Sequence, residues 1–244
     1  MGRVDLHNHL LFGLDDGATD AGESLALAEA LVEAGFTDVV TTPHSKPEMS
    51  PDGARCAERL GEVQRMLDER QVALKLHAGR EHLLTPEFLA RVEAGEATRL
   101  AGGPYVLVEL PFATPVPGLR DAIFKLLMRG VRPIIAHPER CAHFTARPEA
   151  APEVVAAGAH LQIEIGSVAG LYGSTAKKLA QALLAENLVA VAATDAHRSA
   201  STREVLGSGL KVLERSIGSA RLQLLIEENP ARVLAGSPLV LMPR

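Results

Sequence analysis

"VDLHNHLLFGLDDG", residues 4–17, begins as a short apolar run, sets two histidines around one asparagine, and then places two adjacent aspartates before a glycine. In an extended strand residues i and i+2 face the same side, so His7 and His9 can point inward together while Asn8 points away. Such a strand delivers ligating groups at its tip. The pattern recurs: "RVDL", "TDVVTT", "VALKLHA", "PYVLVEL", "RPIIAH", "AHLQIEI" and "LVAVAAT" are β-rich runs, most of them separated by room for a helix. Parallel strands need crossovers of that length, and the right-handed crossover rule curls them into a barrel or an open doubly wound sheet. Between them "ESLALAEALVEAG", residues 23–35, carries its apolar residues on one helical face and ends at Gly35, a C-cap signal. Residues 53–70 and 174–187 read the same way, and "ARVLAG" after Asn229 and Pro230 is expected to close the bottom or side of the fold.

The chain has 244 residues, close to the roughly 250 of one (β/α) barrel. No repeat, low-complexity tract or linker divides it, so one domain over residues 1–244 is expected. There is no Trp and there are only two Tyr and six Phe, so the core must be built from Val, Leu, Ile and Ala, which suits helices on a parallel sheet. A net charge of -5 gives no global attraction for nucleic acid or an anionic membrane. Two cysteines, no apolar run of membrane-spanning length and no signal-peptide pattern lead to the expectation of a cytoplasmic protein without membrane insertion.

The ends of the strand runs carry the chemistry. After the first come His7 and His9, then Asp15 and Asp16. His44 follows the second and Glu81 the third; Glu109 ends the fourth, His137 the fifth, and Asp195 and His197 the seventh. In an alternating β/α protein the carboxyl ends of the strands share one face, so these groups can converge. Taking Asp16 as the ligand and Asp15 as the shaper of the "DDG" turn leaves nine groups, too many for one ion, and two or three divalent ions are expected. Imidazoles and carboxylates without thiolates suit manganese first, with iron or zinc as substitutes. His77, His82, His143 and His160 lie outside this pattern and read as surface or hydrogen-bonded core histidines.

The ordered set "HNH", "TPH", "GRE", "IIAHPER" and "TDAH" resembles the polymerase and histidinol phosphatase (PHP) family. Within it, "LDDGATDAGESL", "VELPFATP" and "AHPER" look most like the bacterial tyrosine phosphatases of capsular and extracellular polysaccharide synthesis. The resemblance covers residues 4–203. It implies a distorted (β/α)7 barrel with three ions at its carboxyl face: one held by His7, His9, Asp195 and a bridging Glu81, a second by Glu81, Glu109 and His137, a third by Asp16, His44 and His197. Carboxylates at Asp16 and Glu109, where other PHP branches have histidine, favour the tyrosine-phosphatase branch. The substrate implied is a phosphotyrosine protein, the tyrosine-rich tail of a bacterial autophosphorylating kinase. Arg140, three residues after His137, has the fork geometry for a phosphoryl group, with Arg198 or Arg203 as its partner. Two features depart from the branch: Glu164 stands where a small or neutral polar residue is expected, and the loop after "TDAH" differs in length, leaving Arg198 and Arg203 as alternatives.

Other readings compete. Cys141 and Arg147 have the Cys-x5-Arg spacing of cysteine-dependent phosphatases, though the residues between lack glycine. The metals could instead serve histidinol phosphate or a DNA 3′ end, or a binding scaffold could keep them for stability alone. Helical exteriors rich in Ala and Leu permit a homo-oligomer.

Overall fold

The computed structural model describes residues 2–242; the ends of the expected domain, residue 1 and residues 243–244, lie outside the described residues. Nine strand segments alternate with helices: β1 (Arg3–Asp5), β2 (Phe36–Thr41), β3 (His44–Ser45), β4 (Lys75–Ala78), β5 (Glu81–Leu83), β6 (Tyr105–Glu109), β7 (Arg132–Ala136), β8 (His160–Glu164) and β9 (Val189–Ala193). The main helices are α1 (Ala21–Glu33), α2 (Gly53–Glu69), α3 (Pro86–Glu93), α4 (Leu119–Met128), α5 (Ala142–Ala146), α6 (Ala150–Ala156), α7 (Ile165–Ala169), α8 (Gly173–Ala185), α9 (Ser199–Ile217), α10 (Ser219–Gln223) and α11 (Asn229–Leu234).

All ladders are parallel, in the orders β1-β2-β4 and β3-β5-β6-β7-β8-β9. The two sheets are one wall. Thr41 pairs with Ala78 and His44 with Glu81, so β3 and β5 continue β2 and β4 in unbroken register. Pro43, which has no N–H to give, and Gly79 mark the interruptions. Seven staves result, and the seventh meets the first through a parallel bridge between Asn8 and Ala196, with the Asp195 N–H donating to the His7 carbonyl at 2.9 Å. The fold is therefore a distorted (β/α)7 barrel. Its closing seam is paired only near the carboxyl ends of the staves, and the far end is filled by the C-terminal segment. There the Asn229 side chain donates to Ala190 O at 2.8 Å, taking the place of a neighbouring strand.

Side-chain alternation separates two apolar layers. Val4, Leu6, Val40, Leu107, Ile134 and Ala136 fill the barrel above Leu100 and Val233, whereas Val39, Val106, Val108, Ile135, Leu161 and Ile163 face the helices. Val233 of α11 thus plugs the bottom, as its sequence position suggested. Helix α1 begins at Asp20, which accepts from Glu23 N at 3.0 Å, and ends before Gly35 at φ +86, a conformation that favours glycine. None of the helices in the described residues is long and apolar enough to cross a membrane.

Candidate metal centre

The carboxyl ends of the staves carry the polar side chains: His44, Glu81 and Glu109 lie within the last ladder pairs, while His137 and Asp195 follow their strands. His137 and Asp195 have φ of +32 and +49, left-handed values that cost non-glycine residues energy and gather at functional sites. His7, His9, His44, Glu81, Glu109 and His137 are all buried, and the chamber opens through Asp16 and His197, whose side chains are 52% and 29% exposed.

Glu81 is the hub. Its Oε1 lies 3.3 Å from His7 Nε2 and 3.0 Å from His137 Nε2, while its Oε2 lies 2.7 Å from His44 Nδ1 and 3.6 Å from His9 Nε2. Asp195 Oδ1 is the second meeting point, 3.2 Å from His7 Nε2 and 3.3 Å from His9 Nε2. Asp16 Oδ1 stands 3.2 Å from His44 Nε2 and 3.4 Å from His197 Nε2. Five compact groups of ligand atoms follow: His7, His9 and Asp195; His7, Glu81 and His137; His44, Glu81 and Glu109; His9, Asp16, His44 and His197; and His137, Glu164 and Asp195. All nine sequence candidates are brought together. One pairing differs from that implied by the resemblance, since Glu109 gathers with His44 rather than His137. The two oxygens of Glu81 face different imidazoles, Oε1 those of His7 and His137 and Oε2 those of His44 and His9.

The donor set fits divalent cations on several counts. Glu81 Oε2 and His44 Nδ1 are buried and close, yet among the described residues neither makes a hydrogen bond, and His137 Nδ1 is likewise unpartnered there. The imidazoles are oriented from behind: Gln162 Oε1 lies 2.9 Å from His7 Nδ1, Asp15 Oδ2 is 2.7 Å from His9 Nδ1, and Asp195 O is 2.9 Å from His197 Nδ1. Those acceptors fix the N–H on Nδ1 and leave Nε2 as a lone-pair donor toward the chamber, as outer partners of metal-bound histidines do. Asp15 therefore does more than shape the turn expected of it. It accepts from Gly17 N at 2.9 Å, and it also braces His9 and takes the His44 N–H at 3.0 Å. Asp5, fully buried, accepts from Thr194 N and Oγ1 and from Asn8 Nδ2, locking the first stave to the last beside Asp195.

Charge in this chamber is tightly coupled. Burial opposes protonation of His7, but the Glu81 and Asp195 carboxylates outweigh it and raise its pKa to about 9. Burial would raise the carboxyls of Glu81 and Asp195, yet the His7 charge and neighbouring imidazoles hold both well below their ordinary range. In chelator-treated protein these raised histidines stabilise the fold fully below pH 6.5, and that contribution is lost as pH climbs through about 9. Thermal melts in EDTA are thus expected to fall steadily between pH 7 and 9.5; a constant or rising midpoint would contradict this coupling.

The arginines separate. Arg140 Nη1 donates to Glu164 Oε1 at 2.5 Å and Asp195 Oδ2 at 3.2 Å, while among the described residues no protein acceptor takes its Nε or Nη2. Arg198 donates to Gly17 O and to His197 O beside the open rim. Arg203 instead pairs with Glu33 on α1 at 3.1 Å and lines a separate cleft between α1 and α9. Glu164 is buried with Arg140 as its partner, an ion pair at the edge of the chamber. Cys141 is buried, its thiol pushed far up by burial, and its loop to Arg147 is the short helix α5. That arrangement neither forms a phosphate cradle nor frees a thiolate. The remaining histidines stay out: His77 pairs with Asp38, His82 lies 2.8 Å from Thr98 O, His143 accepts from Val116 N, and His160 packs near Tyr105.

A family model described as capsular polysaccharide synthesis, CpsB/CapC, matches residues 3–235. The chain belongs to the CpsB/CapC family. Tyrosine-protein phosphatase YwqE of Bacillus subtilis is 30% identical over 242 residues, spanning 98% of this chain and 94% of that protein. Tyrosine-protein phosphatase CpsB of Streptococcus agalactiae is 27% identical, with 95% and 98% covered. A chain from the crystal structures of YwqE from Bacillus subtilis and CpsB from Streptococcus pneumoniae, described as unique metal-dependent tyrosine phosphatases, superposes with a TM-score of 0.91 at 29% identity. It covers 98% of this chain and 97% of that one. A histidinol phosphate phosphatase from Lactococcus lactis shares the fold alone, with a TM-score of 0.54 at 11% identity over 88% of this chain and 94% of that one.

Proposed function

We propose that this CpsB/CapC member is a metal-dependent protein-tyrosine phosphatase, with the whole chain, 1–244, acting as one catalytic domain. The observation that carries the reading is the convergence of nine imidazole and carboxylate groups, Glu81 among them, at one end of the barrel, with the open edge of Arg140 beside them. His7, His9 and Asp195 would hold one ion, Glu81 with His137 a second, and Asp16, His44 and His197 a third, with Glu109 joining Glu81 and His44 between the last two. Manganese is the first choice, and iron or zinc can substitute. When bound, such ions supply Lewis acidity, lowering the pKa of water and neutralising phosphoryl oxygens.

The protein's own residues do the rest. Arg140, anchored through Nη1, presents Nε and Nη2 as a preorganised fork to the phosphoryl oxygens. Arg198 at the rim is the nearer of the two remaining arginine candidates. Asp15 and Gln162 hold His9 and His7 in the tautomer that leaves Nε2 free. No protein nucleophile takes part, and the phenolate leaves by the open side toward Asp16 and His197. The physiological substrate we infer is the tyrosine-rich tail of an autophosphorylating kinase controlling capsular or extracellular polysaccharide synthesis, met in the cytoplasm. Assembly into a homo-oligomer is compatible with this role.

The test is phosphate release by EDTA-stripped protein with and without added Mn²⁺, to be measured on a phosphotyrosine peptide and on histidinol phosphate in parallel. Metal-dependent release from the peptide, retained in Cys141→Ser, is expected. Preference for histidinol phosphate would defeat the substrate assignment, and chelator-resistant activity lost in Cys141→Ser would defeat the metal mechanism. Asp15→Asn is expected to weaken metal retention about 10–100-fold, the usual cost of losing such an outer partner. Titration of the stripped variant with Mn²⁺ checks it, and parent-like affinity would return Asp15 to the role of a turn residue.

A further inference from the structure

Among the described residues few large apolar side chains face solvent, and two of them flank Arg140. Phe112 is 46% exposed and Tyr172 is 38% exposed. The guanidinium carbon of Arg140 lies 4.8 Å from the centre of the Phe112 ring and 4.4 Å from that of Tyr172. Phe112 also lies over His137, with ring centres 5.2 Å apart and planes 30° from parallel. Tyr172 lines a cleft of about 250 Å³ together with Arg140, Asp195 and His197. Both rings border a second cleft of about 370 Å³ beside Thr145 and Thr175. The rings thus stand at the mouth of the metal chamber, joined through the arginine that the phosphoryl group would meet.

Apolar rings left half in water forgo the free energy of burial, and stacking on a guanidinium returns only part of it. We propose that Phe112 and Tyr172 are the walls that receive the phenyl ring of the substrate and make the enzyme select aryl over alkyl phosphomonoesters. This inference rests on the phosphatase reading. With its phosphoryl group on the open edge of Arg140, a phosphotyrosine side chain must pass its ring outward through this mouth, where both walls offer offset or edge-on contact. A phosphoserine has only a methylene between ester oxygen and backbone. Its peptide would be drawn against the rim, so the same two residues reward one substrate and obstruct the other.

The test uses the full manganese-loaded chain, a phosphotyrosine peptide, the phosphoserine peptide of the same sequence, and inorganic phosphate as a competitor without a ring. Phe112→Ala and Tyr172→Ala are each expected to raise KM for the phosphotyrosine peptide about tenfold, as loss of an aromatic contact and its buried area implies, while phosphate inhibition stays within about twofold. Phe112→Leu keeps the volume over His137 without an aromatic face and should behave like the alanine variant; Tyr172→Phe should restore the parent KM. Unchanged KM in both alanine variants, or phosphate inhibition weakened in step with KM, overturns the proposal. If the parent protein releases no phosphate from phosphotyrosine, the phosphatase reading falls and the walls with it. Parent turnover with unaffected variants overturns the walls alone.

Discussion

Glu81→Gln is expected to lower phosphotyrosine hydrolysis at least about a thousandfold, the scale of losing one preorganised electrostatic anchor of a transition state. The substitution keeps shape and removes charge. Four imidazoles, those of His7, His9, His44 and His137, point ring nitrogens at the two oxygens of this carboxylate. An amide offers one oxygen and a competing N–H donor in their place, so one half of the chamber would face a donor where it needs an acceptor. Metal content should fall with activity, because buried carboxylate charge is what offsets the desolvation of a divalent ion. Elemental analysis beside steady-state kinetics separates the two effects. A variant with a full metal complement and more than about a tenth of parent activity would show that Glu81 is not the bridge, since such retention costs little more than one hydrogen bond.

Arg140→Lys should prove nearly as damaging, with kcat/KM down about 100-fold, because a lysine has the charge without the fork. Arg140 spends Nη1 on Glu164 and Asp195 and keeps its other edge for the substrate. An ammonium drawn to those same carboxylates would have no second edge to present. The expected signature is a larger effect on kcat/KM than on metal affinity, read from kinetics at saturating Mn²⁺. Equal loss of metal affinity would instead place Arg140 in the support of Asp195.

Much of this architecture is written in the chain. The seven strand runs, the helix ending at Gly35 and the nine strand-end groups are visible because barrel staves alternate side chains and finish on one face. What escaped is what tertiary contact decides. The interruptions at Pro43 and Gly79 split two runs without changing register, which no periodicity reveals. Asp15 looks like a turn residue until His9 is placed against it. Gln162 did carry a signal, a lone amide at an inward position between Leu161 and Ile163, whose meaning required the His7 ring across the barrel. The left-handed turns at His137 and Asp195 aim two candidate ligands inward, although neither residue type announces such a backbone. Arg198 and Arg203 are equivalent by spacing; the pairing of Arg203 with Glu33 separates them.

The seam between the first and last staves also has a meaning for how the protein comes into being. Asn8 and Ala196 meet across almost the entire chain, and the groups flanking them, His7, His9, Asp195 and His197, enter the chamber from both sides of that join. Closing so long a loop is slow, and chains emerge from the ribosome N-terminus first. A growing polypeptide therefore carries seven of the nine groups long before it carries Asp195 and His197. A chain cut short before Asp195 lacks two of the nine groups and is expected to be inert rather than weakened.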